Sequence, residues 1–397
     1  MDLALQITAV VLTVLTICWV WVTVAAELPL PHWPLRMWDF PRIQALAFAA
    51  ITFVLYFVVA ALHDGLAWWE WIVPWVLLLV MLRQLHWVWP YLQWAKQDVS
   101  RSDTSADDAH ALNIVISNVL TPNDAYQRWR DVIGDLDVDI IACAETDQRW
   151  VDEIGQALSE SHPHTIAEPR DNLYGMALWS RLPLHDAAVE HVVQDDIPSI
   201  HGQVELRSGE RVHFHCLHPR PPAPQESDSS APRDAELIVM ARRIAKRRED
   251  KGKRATIVMG DLNDVAWSRT TQLFQQISGL LDPRRGRGLF NSFHAHHWWV
   301  RFPLDHVLVS PDFRLIEMKR LPEVGSDHFP ILIRVALEPT ASEGQEGPVA
   351  EEEDLDEART RIQRQVEREA NGVDHGHVGK NAEAHEHDLA HDVERQA

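Results

Sequence analysis

Gly325-Ser326-Asp327-His328-Phe329-Pro330 runs directly into the apolar stretch Ile331-Leu332-Ile333-Arg334-Val335. The second part reads as a strand, so the first places a carboxylate and an imidazole at a strand entrance. Taken alone, an Asp-His pair in that position is a surface turn. Three further polar clusters change the reading. They are Glu145 in Ala144-Glu145-Thr146, Asp261 and Asn263 in Gly260-Asp261-Leu262-Asn263, and Asp305 in Leu304-Asp305-His306-Val307. Each lies at or beside the end of an apolar, β-branched segment. Strand ends are where α/β folds gather site residues, because the sheet fixes their positions and the adjoining loops admit substrate.

Between these clusters, strand and helix patterns interleave. Leu112–Ser117, Val138–Cys143, Tyr174–Ser180, Ala255–Met259, Leu304–Ser310 and Pro330–Leu337 read as strands. Gly202–Leu206 and Arg211–Leu217 read as a hairpin joined through Ser208-Gly209, its second strand ending at His218. Residues 123–135 and 147–158 follow a helical pattern, and Asp234–Asp250 is a basic helix after a Pro- and Ser-rich loop over 219–232. Helices with both parallel crossovers and hairpins predict a mixed-sheet α/β sandwich.

The order Asn118, Glu145, His218, Asp261-x-Asn263, Asp305-His306, Ser326-Asp327-His328 resembles the endonuclease/exonuclease/phosphatase superfamily over roughly residues 111–337. Gly260–Asn263 and Gly325–Pro330 stand close to that group's two strongest signatures. The resemblance implies a DNase I-like fold, a four-layer sandwich of two mixed β-sheets flanked by helices. It also implies a metal-dependent phosphoric ester hydrolase using Mg²⁺, with Mn²⁺ as a substitute. Carried over residue by residue, it makes Glu145, Asp327 and Asn118 the metal site. Asp261 would orient or deprotonate the attacking water, and Asn263 would donate to a phosphate oxygen or hold that water. His328 would meet the phosphate, Asp305 would fix its tautomer, and His218 would be a second phosphate contact. Leu120 stands where some relatives carry a second acid, so metal binding falls to Glu145 and Asp327. His306 takes a structural or peripheral place, and no residue is assigned to substrate binding.

These residue types suit phosphodiester hydrolysis. An anionic diester resists water unless its charge is neutralised, a nucleophile is aligned and the leaving oxygen is helped away. Mg²⁺ is hard and takes oxygen ligands. Each residue also has a plainer reading. Glu145 is placed for a helix N-terminal carboxylate, and Asp261 for an Asx turn. The basic loop Arg284, Arg285 and Arg287 meets a polyanion or is a solvated face. The loop His294, His296, His297, Trp298 and Trp299 faces substrate or membrane, with metal binding by its three histidines as the lesser alternative.

Outside the domain the composition changes twice. Residues 3–26 carry no Asp, Glu, Lys or Arg, enough at about 1.5 Å per residue to cross a hydrocarbon core of about 30 Å. Residues 43–62 repeat the pattern, and 66–89 form a third span with Glu70 and Arg83 near its ends. Of the chain's 17 Trp, Trp68, Trp69, Trp71, Trp87 and Trp89 form interfacial belts. Residues 1–95 therefore read as a membrane anchor, 96–110 as a flexible polar linker, 111–338 as the domain, and 339–397 as an acidic, His-containing, disordered tail. Within that tail, Glu351–Ala370 has the i,i+4 pairs of a solvated helix, and His375, His377, His385, His387 and His391 are a weak metal-binding pattern. The expected location is a cell membrane, crossed several times. Arg36, Arg42, Lys96 and Arg101 place the domain on the cytoplasmic side, whereas the resemblance to a membrane-anchored bacterial branch implies the opposite side.

Net charge is −21, and residues 341–397 hold 16 acidic against 6 basic residues, so the chain as a whole is no electrostatic DNA binder. Three cysteines, Cys18, Cys143 and Cys216, exclude a disulfide framework. The expected partners are a lipid bilayer and a phosphodiester, either nucleic acid (a nuclease-like activity) or a phospholipid head group or small molecule. A non-catalytic membrane scaffold with the same fold is the third reading. No protein partner is legible.

Overall fold

The computed structural model describes residues 3–62, 71–224, 226–250 and 255–374. It opens with three long helices, α1 (Leu3–Glu27), α2 (Arg42–Leu62) and α3 (Ile72–Val88). Helices that are apolar all round need either a protein core or lipid around them. These three are long and apolar enough to cross a membrane, over Ile7–Glu27, Arg42–Leu62 and Ile72–Tyr91. They leave Val14, Ile17, Phe48, Ile51, Leu79 and Leu82 facing outward. The third begins later than expected, and Trp68, Trp69 and Glu70 lie outside the described residues. Arg83 is paired with Glu27 across the bundle at 2.5 Å.

Two sheets follow. Strands β1 (Ala111–Asn118), β2 (Ile140–Ala144), β3 (His164–Glu168) and β4 (Met176–Ser180) belong to the first. Strands β5 (Leu184–Glu190), β6 (Ser199–Glu205), β7 (Arg211–Cys216), β8 (Thr256–Asp261) and β9 (Asp305–Val309) make the second. The chain then returns to the first with β10 (Phe313–Arg320) and β11 (Ile331–Leu337). The six-stranded sheet has the order β10-β11-β1-β2-β4-β3, and the five-stranded sheet β5-β6-β7-β8-β9. Both are mixed: β1 runs parallel to β2 and antiparallel to β11, and β7 runs parallel to β8 and antiparallel to β6. Their inner faces interdigitate through Ile114, Ile116, Ile140, Phe214, Ile257, Val307 and Ile333. Helix α4 (Gln148–Leu158) covers the first sheet with Trp150, Ile154 and Leu158. Helices α5 (Ala231–Asp250) and α6 (Arg269–Ser278) cover the second. This is the expected four-layer sandwich. Cys143 and Cys216 lie buried within it as small apolar side chains.

The expected inner strands are present. The strands that sequence patterning passes over are β3, β5 and β10, which stand at sheet edges and carry polar, half-exposed residues. Residues 123–135 form only a short helix, Tyr126–Trp129, continued by a π turn over Arg130–Gly134.

Two segments differ from expectation. The linker is docked against the domain. Val99 is buried, Leu315 N donates to Ser100 O (2.9 Å), and Ser102 N donates back to Leu315 O (2.9 Å), so the segment lines the β10 edge. Glu352–Ala370 forms helix α7, but not a wholly solvated one. Leu355, Ala358, Ile362 and Val366 lie on one face and pack into the core beneath α5. Arg361 enters that interface, donating to Asp234 Oδ2 and Thr270 Oγ1 at 2.7 Å each. The tail histidines from His375 onward lie outside the described residues.

Glu236, on α5, is buried, and its Oε1 meets no protein donor. Burial raises its pKa to about 8, so the folded state holds a proton that the unfolded chain releases near pH 4.5. Stability therefore falls as pH rises from about 5 to 8, by on the order of 4 kcal/mol at the upper end. Glu236→Gln removes this slope. Thermal unfolding of the full chain in detergent at pH 5 and pH 8 should show the variant more stable than the parent only at the higher pH.

Candidate active site

The site lies where the two sheets present their strand ends to each other. Asn118 closes β1 and Asp261 closes β8, and Asn118 Nδ2 donates to Asp261 Oδ2 (3.1 Å) and to Glu145 Oε1 (2.6 Å). Its carbonyl oxygen is taken by Leu120 N at 3.0 Å, so Asn118 offers the centre a donor. Glu145 follows β2 with φ +59°, and Asn263 follows β8 with φ +51°. A left-handed Glu costs about 1–2 kcal/mol, a strain held at a residue that carries a site carboxylate.

Asp261 is fully buried. Its Oδ1 accepts from Asn263 N (2.9 Å), and its Oδ2 stands 3.5 Å from His328 Nε2. On the other side of the ring, His328 Nδ1 lies 2.7 Å from Asp305 Oδ2. Ser292 Oγ accepts from the main-chain nitrogens of Leu304 (3.2 Å) and Asp305 (3.0 Å) and fixes the strand entrance. Burial opposes the charged imidazole, but Asp305 and Asp261 outweigh it and raise its pKa to about 10. Burial raises Asp261 despite the imidazolium beside it. Burial also works against ionised Asp305, yet the charge on His328 holds that carboxyl below its ordinary value. The trio is thus an imidazolium held between two carboxylates.

Asp261, Asp305 and His328 converge closely enough to hold a metal ion. Yet both ring nitrogens already face a carboxylate, and a proton satisfies that arrangement. The group left with an unpartnered atom is Glu145. Its Oε2 is buried without a protein donor, and burial pushes its pKa up against the pull of His218, Asn118 and His328, with the charge on Asp327 adding to the rise. A buried carboxylate oxygen without a hydrogen-bond donor is costly. Hard oxygen donors in this setting fit a divalent cation such as Mg²⁺ or Mn²⁺, with Glu145 and Asp327 as the residues that would hold it.

The remaining expected residues are also here. His218 Nδ1 lies 3.1 Å from Asp261 O, its Nε2 3.3 Å from Leu173 O and 4.0 Å from Glu145 Oε1. Main-chain carbonyls face both its nitrogens, and Tyr174 lies over the ring at 5.8 Å. Asn263 Nδ2 donates to Pro219 O at 2.9 Å. His306 is buried behind the site. It accepts from Arg284 at Nδ1 (2.7 Å) and donates from Nε2 to Asp264 O (2.9 Å), a neutral tautomer that fits a pKa lowered by burial to about 3.

Sequence reading missed three supports. Arg233 Nη1 donates to Asn263 O (2.9 Å) and pairs with Asp264 (3.4 Å), pinning the loop after β8. Ser292 and Phe293 come from a segment with no regular pattern, and the Phe293 ring lies 5.0 Å from that of His328. The basic loop is neither a polyanion site nor a solvated face. Arg284 is buried against Asp282 (2.8 Å), Arg285 pairs with Asp98 (3.4 Å), and Arg287 donates to Gln97 Oε1 (3.0 Å) and to Val99 O. The last two fasten the linker.

Two mixed sheets with an Asn, Glu, Asp and Asp–His set at their facing strand ends define a DNase I-like fold. Residues 116–328 match the model of the Endonuclease/Exonuclease/phosphatase family, and the chain belongs to that family. Solved structures similar to it include an endonuclease/exonuclease/phosphatase family protein from Bacteroides thetaiotaomicron (17% identity, 57% of this chain and 98% of that one, TM-score 0.45). Others are sphingomyelinase C from Streptomyces griseocarneus (16%, 56% and 99%, 0.43) and the human Nocturnin catalytic domain (16%, 58% and 96%, 0.46). No curated protein matches the sequence.

Gly260 sets the approach of β8 to the end of β7. Its φ is +130°, and a Cβ there would stand 2.2 Å from Leu217 O, beside His218. Gly260→Ala should cost roughly 3 kcal/mol of stability. Gly209→Ala, at φ +86° with nothing within 4 Å, should cost only about 1 kcal/mol. Thermal unfolding of the two variants checks the difference.

Proposed function

We propose that the chain is a membrane-anchored, divalent-cation-dependent phosphodiesterase. The observation that carries this reading is the buried, unpartnered Glu145 Oε2 beside the Asp261–His328–Asp305 relay. Water adds to phosphorus and the P–O bond to the leaving alcohol breaks, giving a phosphomonoester and an alcohol. Asp261 takes the water's proton, and burial, which raises its pKa, makes it a better base than an exposed Asp. The imidazolium of His328 faces the developing negative charge, supplies the proton that the leaving oxygen needs, and is held in orientation by Asp305. A bound Mg²⁺ or Mn²⁺ would neutralise phosphate charge at Glu145 and Asp327. Asn118 ties the Glu145 and Asp261 carboxylates together, and the main-chain anchors of Asn263 fix the Asp261 loop. His218 closes the floor between Asp261 and Glu145.

Both a nucleic acid and a lipid head group present this diester. The basic loop Arg284, Arg285 and Arg287 is engaged inside the protein, and Arg301 and Arg320 over Phe329 suit the single charge of a head-group diester better than a polyanion, which favours the second.

The test uses the full chain in detergent with bis(p-nitrophenyl) phosphate and Mg²⁺ or Mn²⁺. Turnover should vanish with EDTA. It should fall by about 100-fold or more in Glu145→Gln, Asp261→Asn and His328→Ala, with circular dichroism showing each variant folded at the assay temperature. Undiminished turnover in all three variants would falsify the mechanism.

A further inference from the structure

The loop between Phe293 and Val300 is rooted in the site and ends in two uncovered indoles. At its root Ala295 N donates to Asp327 O at 2.6 Å, and Phe293 lies against His328. At its tip Trp298 is 79% exposed and Trp299 63%. Water is a poor environment for two adjacent indoles, and the membrane–water boundary is a good one, because one edge of the ring is apolar and the other donates a hydrogen bond.

The tip's position along the helical bundle is fixed. Gln44 Nε2 donates to Trp299 O at 2.9 Å, and Gln44 lies in the first turn of α2, where the apolar run begins. The same end of the bundle carries Trp89 and Trp94, 46% and 81% exposed. Four exposed tryptophans thus stand where α2 starts and α3 ends. The anchor reaches the catalytic histidine through rings: Phe40 meets Phe302 at 5.5 Å, Phe302 meets Phe293 at 6.5 Å, and Phe293 meets His328 at 5.0 Å. Trp267 Nε1 donates to Asp39 O (2.8 Å), and Tyr91 donates to Ala266 O, so the loop after β8 is fastened to the same end. Arg301 and Arg320 stack over Phe329 beside His328, at 5.1 and 4.4 Å, and supply positive charge at the rim.

We propose that the Trp298–Trp299 tip sits in the interfacial layer of the bilayer that the three helices cross, and that the site at the loop's root takes its phosphodiester from a phospholipid head group in that layer. This rests on the phosphodiesterase reading and on the three spans. The tip is continuous with the tryptophan belt of the spans, and the loop that forms it is also a wall of the site. A head group is therefore the diester nearest to His328.

The full chain is reconstituted in vesicles of phosphatidylcholine and phosphatidylglycerol. Trp298→Ser/Trp299→Ser should lower release of head group or phosphorylated head group from the vesicle lipid by roughly 10-fold or more, while bis(p-nitrophenyl) phosphate turnover stays unchanged. Trp298→Phe/Trp299→Phe should restore most of the loss. The emission lost in the Phe variant should be quenched more by lipids spin-labelled near the head group than by lipids labelled deep in the chain. Vesicle-lipid hydrolysis untouched by the Ser variant overturns the proposal, as does a tip emission that neither lipid quenches. Cleavage of the soluble diester, or of plasmid DNA, without cleavage of vesicle lipid overturns this inference alone. No cleavage of any diester overturns the phosphodiesterase reading together with it.

Discussion

The contact from Asn118 to Asp261 is the constraint on which the site depends. It joins the end of a strand in one sheet to the end of a strand in the other, and nothing nearer in sequence could replace it. Each sheet contributes carboxylates that are costly to bury. Glu145 comes from the first sheet, and Asp261 and Asp305 from the second. The two sets share one amide and one imidazolium, so the charge balance of either half is incomplete without the other. The close packing of the sheets through Ile114, Phe214, Ile257 and Ile333 therefore also keeps this group balanced.

Around that centre Arg284, Arg233 and Arg361 are employed internally. Arg284 sits between Asp282 and His306, and His306 in turn holds the carbonyl of Asp264. Arg233 grips the same loop from α5, and Arg361 reaches the neighbouring Asp234 from α7. The loop that presents Asn263 is thus held from the core side by three elements distant in sequence. A buried guanidinium with several acceptors is planar and stiff, and it suits this task better than a lysine.

Much of this was legible in the chain. The inner strands advertise themselves as β-branched runs, and the site residues stand at their ends because that is where a sheet can hold a polar group against solvent. The edge strands β3, β5 and β10 were not legible, since a strand at the margin of its sheet with a half-exposed face needs no continuous apolar run. Arg284, Arg285 and Arg287 read as surface charge because their partners Asp282, Asp98 and Gln97 are recognised only when the linker is seen lying against them. The Leu355, Ala358, Ile362 and Val366 spacing did carry the signal for a packed helix, and the acidic composition of the tail obscured it.

The docked linker changes how the three apolar helices relate to the domain. A flexible tether would leave the domain free to turn, and the opening of the site would have no fixed relation to the bilayer. Here the segment between α1 and α2 is hydrogen-bonded to the domain, with Trp33 N on Asp228 O (3.0 Å) and Ser230 N on Pro31 O (2.7 Å). Phe40 and Ile43 share a core with Trp87, Val265, Trp267 and Phe302. A rotation of the domain would have to expose that core and break the fastening at Arg285 and Arg287 together. Orientation relative to the helices is therefore built into the fold, and under the head-group proposal a site held in one orientation would meet its substrate without the entropy of finding it.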